Sequence, residues 1–183
     1  MVYFLLANGC EEIEALAPVD FLRRAGVKVT TVSLKGGVVC GAHGIEISAD
    51  RVFSDADFSD AEMIVLPGGM PGTTNIDEFP GITELLASVY GRGGYLAAIC
   101  AAPMVLGRRG YLKGKSAVCY PGFEDYLEGA TISSSPVVRD GRIVTAKSAG
   151  FAWQFGYVLG EILAGKEVCE KVRESLFLPP FGD

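Results

Sequence analysis

The stretch that most constrains this chain runs from Gly94 to Pro103, Gly-Tyr-Leu-Ala-Ala-Ile-Cys-Ala-Ala-Pro. Tyr95–Ile99 is a short apolar run behind a glycine pair, the pattern of a strand buried on both faces. Ala101–Arg108 reads as a helix, with Pro103 tolerated because the first helical turn makes no use of the N–H it lacks. Cys100 therefore stands where a strand ends and a helix begins, with no residues left over for a loop. That is the geometry of a nucleophile elbow. Ala98 and Ala102 are small enough to let the strand and helix close around it. A thiol placed there faces free amides and the positive end of a helix, which favours the thiolate. An ordinary core cysteine is the alternative, but it does not need small residues on both sides.

A doubly buried strand needs helices on either side, and the flanking sequence supplies them. Val2–Ala7 reads as a strand and Asn8-Gly9-Cys10 as a turn. Glu11–Ala25 has the helical spacing of Ile13, Leu16, Ala17, Phe21 and Leu22, with Pro18 inside it and Gly26 as its stop. The β-branched run Val27–Leu34 follows, completing a βαβ unit. Gly36–Asp50 reads as a short antiparallel arm outside the main sheet, and Phe53–Asp60 as an acidic connector. Met63–Leu66 is a second buried strand, Ile82–Tyr90 a helix, and Ser116–Tyr120 a strand closed by Pro121. Val137–Arg139 and Arg142–Ala146 form a hairpin through Asp140-Gly141, and helices follow at Phe151–Leu163 and Glu167–Leu176. The alternation predicts an α/β fold, a mostly parallel, doubly wound sheet between helical layers, in one domain over residues 1–183.

Composition narrows the function classes. Apolar residues make up 49% of the chain, too many for disorder, yet no run approaches the roughly 18 residues of a membrane span. The N-terminus lacks a basic leader and reads as the first strand. The net charge is −6 and the basic residues are scattered, which argues against nucleic acid and a membrane surface as partners. The five cysteines are odd in number and widely spaced, and the one histidine is His43. No disulfide framework or metal site is expected, and a reducing cytoplasm is the expected compartment.

In such sheets sites form beyond the carboxyl ends of the strands. Three loops should meet there, Asn8–Glu14, Pro67–Gly72 and Cys100–Pro103, joined by Tyr120-Pro121-Gly122. They bring together a thiol, carboxylates, free amides and a phenol. Gly68-Gly69 can turn an N–H toward the thiol and, with the Ala101 amide, form an oxyanion hole. As an isolated feature it reads first as an ordinary glycine turn, and no phosphate-loop pattern accompanies it. Glu11 and Glu12 suit the start of a helix by charge alone. Glu14 falls near the apolar face, where a buried, protonated carboxyl could hydrogen-bond a thiolate. His43 lies on the arm, far from the elbow in sequence.

Taken with these residues, the chain resembles the ThiJ/PfpI superfamily, and within it the branch of the Parkinsonism-associated protein deglycase and its bacterial relatives. The resemblance rests on Glu11–Asp20 (Glu-Glu-Ile-Glu-Ala-Leu-Ala-Pro-Val-Asp), Arg23–Val29, Leu-Pro-Gly-Gly at 66–69, Ala-Ile-Cys-Ala-Ala-Pro at 98–103 and Gly-Lys-Glu-Val at 165–168. It implies a flavodoxin-like sandwich, a homodimer and no cofactor. It also implies Cys100 as nucleophile, Glu14 as the protonated carboxyl beside it, and Gly69 with Ala101 as the oxyanion hole. Gly68, Tyr120 and His43 are further pocket candidates. The implied activity is glutathione-independent glyoxalase or deglycase chemistry on methylglyoxal, related aldehydes or glycated substrates. The alternative is an oxidative-stress sensor or chaperone-like protein in which Cys100 is oxidised to the sulfinic acid. The chain departs from the family in two places. Many members carry a histidine where this chain has Tyr120, and a phenol of pKa about 10 is a poor base near neutrality. Lys147-Ser148-Ala149-Gly150 replaces the glycine-proline-glycine turn of close relatives.

Overall fold

A computed structural model describes residues 1–181. The chain begins with β1 (Val2–Leu6), α1 (Glu12–Arg24) and β2 (Val29–Ser33), the expected βαβ unit. The arm is β3 (Val38–Cys40) and β4 (Glu46–Ser48), followed by a two-residue edge strand, β5 (Arg51–Val52), between the arm and the acidic connector. Then come β6 (Met63–Leu66), α2 (Gly72–Asp77), α3 (Ile82–Gly91), β7 (Tyr95–Ile99) and α4 (Pro103–Arg108). The remainder is β8 (Ser116–Ala117), β9 (Thr131–Ile132), β10 (Val137–Asp140), β11 (Ile143–Ala146), α5 (Ala152–Leu163) and α6 (Lys166–Ser175).

The main sheet has the order β10-β11-β7-β6-β1-β2-β5 and is parallel except for the β10–β11 hairpin. Its centre, β2-β1-β6-β7-β11, is the flavodoxin-like order. Val2 of β1 pairs with Val29 of β2 on one side and Met63 of β6 on the other, so the strands start in register and end together. Every residue of β1 and β6 is buried, because the sheet is covered on both faces. Alternation along β1 divides the core. Tyr3 and Leu5 face a cluster with Ile76, Leu86 and Val105 from α2, α3 and α4. Val2, Phe4 and Leu6 face Ala15, Leu22, Phe155 and Leu159 from α1 and α5.

The face of α1 differs from the expected one. Ala15, Ala17, Val19, Phe21 and Leu22 pack inward with Glu12 and Glu14, while Ile13 is 53% and Leu16 40% exposed. The arm packs on its own chain, burying Val39 and Ile47 against the same core that α1 covers. All three loops expected at the site follow strands whose carboxyl ends lie side by side, β1, β6 and β7.

Candidate active site

The elbow forms at Cys100, which has φ of 64°, a conformation rare for a residue with a side chain. Its backbone is held from both directions. The Cys100 amide donates to Ala146 O at 2.9 Å, extending the β7–β11 ladder, and Tyr120 N donates to Cys100 O at 2.7 Å. Backbone strain of this kind persists only where the surroundings fix it. The helix begins later than expected, at Pro103. Ala101 and Ala102 form a tight turn in which Met104 N donates to Ala101 O at 3.1 Å and Val105 N to Ala102 O at 2.9 Å. The Ala102 amide donates to Ile99 O at 3.0 Å, while the Ala101 amide faces the sulfur.

Glu14 reaches the thiol from the first turn of α1. Glu11 caps that helix, its Oε2 accepting from Glu14 N at 2.7 Å. The Glu14 side chain is 1% exposed, and its Oε2 accepts from Gly68 N at 3.0 Å. Its Oε1 is buried without a partner at hydrogen-bond distance. The two loops meet only because residue 68 has no side chain: a Cβ there would lie 2.6 Å from both Cys100 Cβ and Glu14 Oε2. Gly69 is needed for a second reason, since its φ of 86° is left-handed and a Cβ would lie 2.4 Å from Glu11 N. In this turn the Gly69 and Ala101 amides both stabilise negative charge on the Cys100 sulfur.

The electrostatics couple the acid to the thiol. Burial, aided by the Glu11 charge, pushes the Glu14 carboxyl up to about 7 against the pull of Cys100 and the Gly68 and Ala149 amides. Burial and then the Glu14 charge push the Cys100 thiol up to about 12, with the Gly69 and Ala101 amides opposing. The elbow alone therefore does not produce the low-pKa thiol that its helix-terminus position suggests. The carboxylate form of Glu14 suppresses the thiolate. A protonated Glu14 removes that repulsion and offers an O–H to the sulfur, so the pair shares one proton and one negative charge.

The remaining expected residues lie at different distances from this centre. Tyr120 is tied to the elbow by its backbone, but its ring is 47% exposed. His43 packs on its own chain, where its Nδ1 lies 2.7 Å from Glu12 Oε2. Side-chain oxygen and nitrogen atoms of Glu11, Glu12 and His43 lie within 4.8 Å of one another. Sequence reasoning missed Glu11 as the cap that positions Glu14. It also missed the Ala149 amide, which lies in the Lys147–Gly150 segment where the chain departs from its relatives' turn. Glutamate is not among the preferred N-cap residues, so the sequence carried no strong sign of the first.

Residues 1–161 match the model of the DJ-1/PfpI family. The chain is 37% identical over 178 residues to Protein dj-1beta of Drosophila melanogaster, covering 95% of each. It is 30% identical over 162 residues to Deglycase PfpI of Pyrococcus furiosus, covering 86% of this chain and 96% of that one. The solved structure described as Toxoplasma gondii DJ-1, oxidized, superposes with a TM-score of 0.93 at 33% identity, over 98% of both chains. With a family match across most of its length, and relatives of this identity along nearly all of it, the chain belongs to the DJ-1/PfpI family.

Proposed function

We propose that this protein is a cysteine-dependent enzyme acting on methylglyoxal or related small aldehydes without glutathione or a cofactor. The observation that carries the reading is the convergence of Cys100, Glu14 and the Gly69 and Ala101 amides around one point. The Cys100 thiolate adds to the aldehyde carbon, and the two amides hold the resulting oxyanion. The oxyanion takes the proton held by Glu14, and the Glu14 carboxylate then moves the proton of that carbon to the neighbouring carbonyl oxygen, giving an enediol. Glu14 carries the hydroxyl proton of the first carbon to the second carbon, giving a lactoyl thioester, and water hydrolyses it to lactate and the free thiol. A carboxyl raised toward neutrality suits both directions of transfer. The same thiol and amides would serve deglycation, the activity named for the Pyrococcus furiosus relative. The test is lactate formation from methylglyoxal by purified protein without glutathione. Slow turnover is expected, abolished by Cys100→Ala and by Glu14→Ala; turnover that survives Cys100→Ala overturns the reading.

A second reading has its own support, because the Toxoplasma gondii relative is described in an oxidized form. Here Cys100 is oxidised by peroxide to the sulfenic and then the sulfinic acid, and a protonated Glu14 donates to the sulfinate. Peptide mass spectrometry should then find oxygen on Cys100 before the other four cysteines. Oxygen on another cysteine while Cys100 stays reduced would exclude this role.

A further inference from the structure

The arm is joined to the first turn of α1 by a buried carboxylate. Glu12 is 4% exposed, and both of its oxygens are engaged by the arm. Oε1 accepts from His43 N at 2.8 Å and from Ile45 N at 3.4 Å, and Oε2 lies 2.7 Å from His43 Nδ1. Gly41 leaves the space that this carboxylate fills, since a Cβ there would lie 2.2 Å from Glu12 Oε1. Backbone bonds fasten the arm to the loop before α1: Gly9 N donates to Cys40 O and Ala42 N to Cys10 O, both at 2.8 Å. The imidazole also stands 3.9 Å from Glu11 Oε1, and the other oxygen of Glu11 caps the Glu14 amide. One row of side chains thus runs from His43 through Glu12 and Glu11 to Glu14 and Cys100.

We propose that His43 is a positioning residue for this site, acting through Glu11 and Glu12 on the charge that Cys100 and Glu14 share. The inference rests on the Cys100–Glu14 pair being the reacting centre. The groups facing the imidazole are Glu12 and Glu11 from α1. Cys10 lies beneath them, a thiol that burial and the Glu12 charge push up to about 11, so it is neutral. Cys40, Glu46 and Asp50 are the other titratable groups of the arm; the Cys40 thiol turns to Gly41 O at 3.7 Å, and the Asp50 carboxylate is taken by Arg23 and Thr31. The hydrogen bond and charge of Glu12 raise the proton affinity of His43, extending its charged form toward neutral pH. An imidazolium there offsets part of the Glu11 and Glu12 charge, and Glu14 and the sulfur then reach their singly protonated, singly charged state at lower pH. A neutral group at position 43 leaves both carboxylates uncompensated, and the pair keeps the first of its two protons to higher pH.

The test is the pH profile of Cys100 alkylation by iodoacetamide, read on the Cys100 peptide by mass spectrometry. His43→Gln should move the lower midpoint upward by about half a pH unit at low ionic strength, a shift that high salt shrinks because the ring is exposed. His43→Lys keeps a positive charge and should return the midpoint to the wild-type value or below it. A purely structural role would instead slow alkylation by the same factor at every pH and would not be rescued by lysine; that outcome, or an unmoved midpoint in His43→Gln, overturns the inference. Glu14→Gln separates the two levels. If it leaves the wild-type profile unchanged, the Cys100–Glu14 pair itself is refuted. If it changes the profile while His43→Gln does not, only the role of His43 falls.

Discussion

Glu14 sits in the core at a cost to the fold. Its carboxyl is raised from 4.5 to about 7 by burial, so the folded state binds its proton more tightly than the unfolded chain does. The sign follows directly: this contribution to stability is full below the ordinary carboxyl range and is lost as pH rises through about 7. At about 1.4 kcal/mol per pH unit, the loss is about 3 kcal/mol. Glu14→Gln has no proton to lose, so it should gain stability over the wild type by that order between pH 5 and pH 8, read from denaturant midpoints. Equal pH dependence in the two proteins would show that the carboxyl is not buried as described. The same position orders thiol acidity, because glutamine keeps an N–H donor for the sulfur and leucine removes it. Alkylation should therefore place the Cys100 pKa lower in Glu14→Gln than in Glu14→Leu. Tyr120→His should raise lactate formation or leave it unchanged, since it supplies a base beside the elbow; loss of turnover would show that the phenol is needed. Cys100 was legible because a strand and a turn with no spare residue leave one conformation for it. Glu14 was legible for a mistaken reason: Ile13 and Leu16 were read as its core neighbours, yet both face solvent. The carboxyl is buried by the turn at Gly68, which helical spacing does not encode.

At the scale of elements, the site depends on two loops approaching closer than side chains normally allow. In Gly68→Ala the added Cβ meets Cys100 Cβ at 2.6 Å and Ile99 O at 2.8 Å, and the second of these is backbone that cannot swing away. The substitution should cost about 1–3 kcal/mol in stability and lower activity by more than the unfolded fraction accounts for, since it separates thiol from carboxyl. Full activity in a folded Gly68→Ala protein would mean that the contact between them is dispensable. The strands β1, β6 and β7 were readable because burial on both faces leaves continuous apolar runs. The helix α2 was not, because Gly-Thr-Thr-Asn-Ile-Asp is a poor helix former by propensity and is held by burying Thr73 and Ile76. Nor was β5, whose two residues exist as a strand only by pairing with the end of β2.

The whole molecule leaves one group of apolar side chains without a place in either core. On α1 these are Ile13 and Leu16; on the arm they are Val38 and Ile45, 51% and 56% exposed. Period-two alternation explains the arm, since burying Val39 and Ile47 turns Val38 outward. The Ile45 amide bonds Glu12, the neighbour of Ile13, so Ile45 and Ile13 stand at one junction of arm and helix. We propose that a second copy of the chain covers this face in a two-fold dimer, in which each patch packs on its own symmetry mate. A stable dimer of this kind buries roughly 1,600 Å² in total, and aliphatic residues at its centre would supply the apolar part. Sedimentation equilibrium at micromolar concentration should give twice the 19.4 kDa chain mass. Ile13→Glu with Leu16→Glu should give the monomer, because four carboxylates would face one another across the axis at the cost of desolvation and repulsion. The same pair should leave the secondary structure intact, as neither residue contributes to the core. A wild-type monomer at that concentration excludes the dimer. A dimer that survives the double substitution places the interface on another face, and the apolar junction of α1 and the arm then has no role in assembly.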